Sequence, residues 1–71
     1  MTGEEFIARV RQIGRERGVT VRFDSRKGKG SHGRLYFGPC LTTVKDRRKE
    51  IGPGLLASML RQLGLTRDDM R

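Results

Sequence analysis

Apolar residues recur at helical spacing at both ends of this chain and at every second position between them. That change of period constrains the fold more than any single motif does. Phe6, Ile7, Val10 and Ile13 share one helical face, and Arg9, Arg11, Arg15, Glu16 and Arg17 cover the rest. Thr2 and Glu5 have the spacing of a capping box, and Gly18 is a natural residue to follow the last turn, so a first helix is expected over residues 3–17. Gly14 offers an earlier stop. From Val19 to Asp24 the period drops to two, with Val19, Val21 and Phe23 on one side, the mark of a half-buried strand. A second strand is expected over 32–37, with Leu35 and Phe37 on one face and His32, Arg34 and Tyr36 on the other.

Gly38-Pro39 makes a two-residue reversal into a third strand, Cys40 to Val44. That loop length pairs Phe37 with Cys40 and sets Arg34 opposite Thr43 and His32 opposite Lys45, on the outward face. Lys45 to Glu50 is mixed in charge and reads as a solvated connection. Gly52-Pro53-Gly54 opens a second helix with proline at its first position. Leu55, Leu56, Met59, Leu60 and Leu63 form its apolar stripe, Gly64 closes it, and Leu65 packs back on Leu60. Thr66-Arg67-Asp68-Asp69 is a further N-cap pattern, giving one more turn or a frayed tail. The expected architecture is α+β, in the order α-β-β-β-α. A three-stranded antiparallel sheet carries both helices on one face and leaves the other open.

A chain of 71 residues has room for one domain, expected to span residues 1–71. No stretch approaches the ~20 apolar residues of a membrane span. Met1-Thr2-Gly3-Glu4-Glu5 is acidic where a signal peptide is basic and then apolar. Cys40 stands alone, which gives no disulfide framework and no metal cluster, and it reads as a small core residue. The cytoplasm is the expected compartment.

Sixteen Lys and Arg against eight Asp and Glu leave a net charge of +8, which calls for a polyanionic or acidic partner. Between Arg9 and Arg34 there are nine basic residues and only two acidic ones, Glu16 and Asp24. This charge gathers around the glycine-rich turn Arg26-Lys27-Gly28-Lys29-Gly30-Ser31, which leads directly into His32, the only histidine. The turn lacks the leading glycine and the Gly-Lys-Ser/Thr order of a nucleotide P-loop, so that reading is rejected. A phosphodiester held by Arg26, Lys27, Lys29, Arg34 and Lys45, with turn amides at Gly30 and Ser31, suits the pattern, and Tyr36 can stack on a base.

His32 is then the candidate catalytic group. A general base requires a neutral imidazole. It can take the proton of a ribose 2′-hydroxyl, and that oxygen can attack the adjacent phosphorus, a step that needs no metal and no cofactor and is confined to RNA. Tyr36, Lys45 or water can protonate the leaving oxygen. The alternatives are a non-catalytic RNA-binding module, in which His32 only contacts the backbone, and a small protein whose charge serves an acidic protein partner.

Gly30-Ser31-His32 opening a strand, Gly54-Leu55-Leu56 starting a helix and Leu60-Arg61-Gln62-Leu63-Gly64 ending it together resemble the HicA-type toxins of bacterial and archaeal toxin–antitoxin pairs. The likeness runs over nearly the whole chain. It implies a double-stranded-RNA-binding-like fold and a histidine-dependent mRNA-cleaving activity, carried to His32, in the toxin half of a type II pair acting in stress response. It also implies a HicB-type antitoxin that covers His32, the toxin being monomeric alone and hetero-oligomeric with its antitoxin.

Overall fold

The computed structural model describes residues 1–25 and 32–71. The elements are α1 (Gly3–Arg17), β1 (Val21–Asp24), β2 (Gly33–Phe37), β3 (Cys40–Val44), α2 (Pro53–Leu63) and a closing 3-10 turn (Asp68–Met70). The order α-β-β-β-α and the antiparallel sheet, with strands in the order β1-β2-β3, are those expected.

Helix α1 begins where the capping box places it. The Glu5 backbone N–H donates to Thr2 Oγ1 at 3.2 Å, and the Thr2 N–H donates to Glu5 Oε1 at 2.8 Å. Two further unpaired amides of its first turn are met from afar: Gly3 N–H donates to the Lys49 carbonyl at 3.1 Å and Glu4 N–H to that of Arg47 at 2.8 Å. Ile51 N–H donates to the Met1 carbonyl at 2.8 Å. The connection after β3 is therefore stitched across the helix end rather than solvated along its length, and Asp46 and Arg47 are half-buried. A charge run was a poor guide here because it is the backbone of this segment, not its side chains, that docks.

At the other end of α1, Gly18 takes φ +69°, and Val19 N–H donates to the Gly14 carbonyl at 2.8 Å, a Schellman closure. That closure uses Val19 and shortens β1 to start at Val21. Gly14 is no stop. A Cβ there would lie 2.4 Å from Val21 Cγ2 and 2.7 Å from the Val19 carbonyl oxygen, so the missing side chain is what lets α1 lie against β1.

Gly38 takes φ +59°, and Pro39 after it requires a negative φ, the II′ pattern that sets Phe37 opposite Cys40. The ladder then runs through Arg34–Thr43 to Gly33–Val44. Leu35, Phe37 and Val44 are buried with Phe6, Val10 and Ile13 from α1 and Met59, Leu60 and Leu63 from α2, so both helices cover one sheet face. Thr42 is buried among them, and its hydroxyl donates to Gln62 Oε1, which removes the cost of an unpaired polar group. Helix α2 opens with Gly52 and Pro53 and closes at Gly64 (φ +76°), with Leu65 N–H donating to the Leu60 carbonyl at 2.9 Å. Leu55 departs from the expected stripe: it is 48% exposed.

The tail is a turn, not a frayed end. The Thr66 N–H donates to Asp69 Oδ2 at 2.8 Å, Arg17 pairs with the Asp69 carboxylate, and Arg9 Nη2 donates to the Asp69 carbonyl at 3.0 Å.

Candidate active site and the open sheet face

The predicted site residues fall on two surfaces. Arg26, Lys27, Lys29, Gly30 and Ser31 lie outside the described residues. Arg34 and Tyr36 occupy the open sheet face, as alternation along β2 requires. His32 and Lys45 are exposed, but both stand one residue beyond Gly33–Val44, the last pair of the ladder. Beyond that last pair, among the described residues, they line a cleft at the end of the sheet.

That cleft has a volume of about 370 Å³. Val44, Ile51 and Met59 contribute its apolar wall, and Leu55, from the first turn of α2, adds an exposed aliphatic side chain. Lys45 and Lys49 bring two ammonium groups, and Asp46 and Glu50 two carboxylates. The carboxylates are engaged within the chain: Glu50 pairs with the N-terminal ammonium, and Asp46 Oδ1 accepts the Arg48 backbone N–H at 3.0 Å. Lys49, Ile51 and Leu55 escaped the sequence reading because only the docking of the 45–51 connection and α2 brings them to His32.

The backbone that carries His32 rests on an aromatic ring. A Cβ on Gly33 would lie 2.3 Å from Phe23 Cζ and 2.9 Å from the Asp24 carbonyl oxygen, so the Phe23 ring occupies the space of the missing side chain. The Arg47 guanidinium lies over that ring, 5.1 Å from its centroid. Its Nε is buried with no hydrogen-bond partner among the described residues. Phe23 and Arg47 thus buttress the entry to β2.

On the open face, the register aligns Arg22, Tyr36 and Leu41 in one row and Asp24, Arg34 and Thr43 in the next. The Arg22 guanidinium lies 4.2 Å from the Tyr36 ring centroid, and one of its nitrogens is 4.0 Å from Asp24 Oδ2. Tyr36 therefore presents a ring already covered on one side by a cation. Arg22 belongs to the basic surface but was hidden from a reading that lacked the β1–β2 register. Leu41, 42% exposed, is the other large apolar side chain left on this face.

No protein-family model matches the chain, nor does any curated protein or solved structure.

Proposed function

We propose that this chain is an endoribonuclease that cuts mRNA without a metal, with His32 as general base and then acid, and that it is the toxin half of a HicA–HicB-type pair. The observation that carries the reading is an exposed imidazole sharing one cleft with Lys45 and Lys49. In the reaction, the neutral ring of His32 takes the proton from a ribose 2′-hydroxyl. The O2′–P bond forms and the P–O5′ bond breaks. The products are a 2′,3′-cyclic phosphate and a 5′-hydroxyl. Lys45 and Lys49 offset the charge that builds on the phosphoryl oxygens.

The leaving 5′-oxygen takes its proton from Lys45 or from water. Tyr36 is a poor donor, since it lies on the open face beneath Arg22. When water opens the cyclic ester, its oxygen bonds to phosphorus, the P–O2′ bond breaks, and the protonated imidazole gives its proton to O2′. The water's own proton goes to the base left by the first step, the Lys45 amine or hydroxide. The open face, with Arg22, Arg34 and Tyr36, serves to hold the strand. A HicB-type antitoxin would silence the chain by covering His32, acting with it in the cytoplasm.

The separation of that open face from His32 favours one other reading, a module that binds RNA without cutting it. Incubating end-labelled RNA with the purified chain in excess EDTA decides between them. Wild type is expected to yield cyclic-phosphate ends, and His32→Gln to cut slower by about 10²–10⁴-fold while retaining its fold by circular dichroism. Binding without product, or cleavage by His32→Gln at the wild-type rate, overturns the proposal.

A further inference from the structure

A site built only to hold a phosphate needs cations and backbone donors, and gains nothing from an apolar wall. The cleft beside His32 has such a wall. Val44 and Met59, 1% and 2% exposed, belong to the core and present their outer edges to the cleft. Ile51 is half-buried beside them. Leu55 stays 48% exposed at the lip although α2 has a well-packed apolar face one turn further on. The apolar surface, the two lysines and the imidazole therefore line one cleft.

The combination selects a ligand with a flat, weakly polar part and an anionic part attached to it. The carboxylates do not make the cleft a cation site, because Glu50 is held by the N-terminal ammonium and Asp46 accepts the Arg48 backbone N–H. The volume, about 370 Å³, lies at the small end of the usual range of about 300–1,000 Å³ for ligand pockets. It is large enough for one nucleobase with its ribose.

We infer that the cleft is a nucleobase subsite: it takes one unpaired base of an RNA strand whose adjoining phosphate lies at Lys45, Lys49 and His32. The inference rests on the proposed action on RNA and adds the substrate class. The base next to the cut must leave its stack and enter the cleft, so the chain acts on single-stranded RNA. A duplex keeps its bases stacked and paired and offers the cleft nothing but backbone. Aliphatic side chains from Leu55 and Ile51 then cover the base, and the choice of base is made by contacts at the rim.

The test uses the wild-type chain and a short single-stranded RNA made uncleavable by 2′-O-methyl riboses, with 2-aminopurine placed at each position in turn. At one position the fluorescence is expected to rise on binding, since the base leaves its neighbours for a wall without aromatic rings. Leu55→Glu is expected to abolish that rise and to weaken binding about tenfold, the size of losing part of one aliphatic contact. Leu55→Ala is expected to fall between. Leu55 is exposed, so both variants should fold, and circular dichroism checks that they do. A fully paired RNA should neither brighten nor compete.

If the strand binds and no position brightens, or if Leu55→Glu brightens as wild type does, the base subsite is wrong. If one position brightens as described but the 2′-hydroxyl form of the same strand is never cut, the subsite stands and the ribonuclease reading falls. If RNA is cut in a His32-dependent way and nothing brightens, the reverse holds. A chain that fails to bind the strand at all overturns both.

Discussion

Gly14→Ala sets two physical effects of opposite sign against each other. In a helix interior, alanine is favoured over glycine by about 0.8–1.0 kcal/mol, so sequence alone predicts a more stable protein. The fold predicts the opposite. The new Cβ would sit 2.4 Å from Val21 Cγ2 and 2.7 Å from the Val19 carbonyl oxygen. The valine methyl can move, but the carbonyl cannot easily retreat, because Val19 N–H is tied back to the Gly14 carbonyl itself at 2.8 Å. Relief requires breaking the closure or lifting α1 off β1, which pulls Val10 and Ile13 out of contact with the sheet. Overpacking of this kind costs about 1–3 kcal/mol, leaving the variant less stable by up to about 2 kcal/mol once the propensity gain of about 1 kcal/mol is subtracted. For a domain of this size that is a fall in Tm of about 4–8 °C per kcal/mol.

Thermal unfolding by circular dichroism, backed by urea unfolding, measures it. Gly54→Ala is the matched control: it lies in the first turn of α2 with nothing within 4 Å of its Cβ, so it should be neutral or stabilising by up to about 1 kcal/mol. Val21→Ala should rescue Gly14→Ala only in part, since the carbonyl contact remains. A Gly14→Ala protein with a higher Tm than wild type would refute the packing of α1 on β1 described above.

Other substitutions test the site and its supports. Gly33→Ala must displace the Phe23 ring or the Asp24 carbonyl, so it should destabilise by about 1–3 kcal/mol and disturb the start of β2; Phe23→Leu in the same chain should recover part of the loss, measured as a double-mutant cycle in urea. Arg34→Ala and Arg22→Ala should each lower the salt dependence of RNA binding by about 0.7 in the log–log slope for every phosphate contact removed; an unchanged slope in both would take the open face out of the interface. The Asp69 carboxyl lies below its ordinary value of 3.8, chiefly because the Thr66 backbone N–H donates to it and then because Arg17 does, and Glu5 lies below 4.5, chiefly through the Thr2 backbone N–H. Both are lowered in the folded chain, so the stability they lend is complete above those ordinary values and drains away as pH falls through the folded ones. Asp69→Asn should therefore flatten the loss of urea resistance as pH drops from about 5 to about 3, and an unaltered profile would count against the tail's docking on Arg17.

Much of the architecture was legible because its signals are local. Capping by Thr2 and Glu5, closure at Gly18 and Gly64, the II′ reversal at Gly38-Pro39 and the pairing of Arg34 with Thr43 each depend on residues fewer than ten positions apart. The candidate site was legible only in part. His32 and Lys45 are brought together, as counting back from the hairpin implies, and both line the cleft at the end of the sheet. Lys49, Ile51 and Leu55 were missed, and so was the covering of Tyr36 by Arg22. None of these leaves a periodic trace, since each depends on how two distant segments meet.

By itself, then, the sequence determined which segments are helical or extended, which side of each is apolar, and that a basic chain carries a single histidine next to the start of a strand. Periodicity and turn chemistry act over a few residues and can be read wherever they occur. Only the tertiary structure decided that Gly14 is a contact and not a stop, that the 45–51 backbone seals the start of α1, and that His32 looks into a half-apolar cleft. Those outcomes follow from shape and backbone hydrogen bonding between segments up to 50 residues apart, where composition and charge carry no instruction.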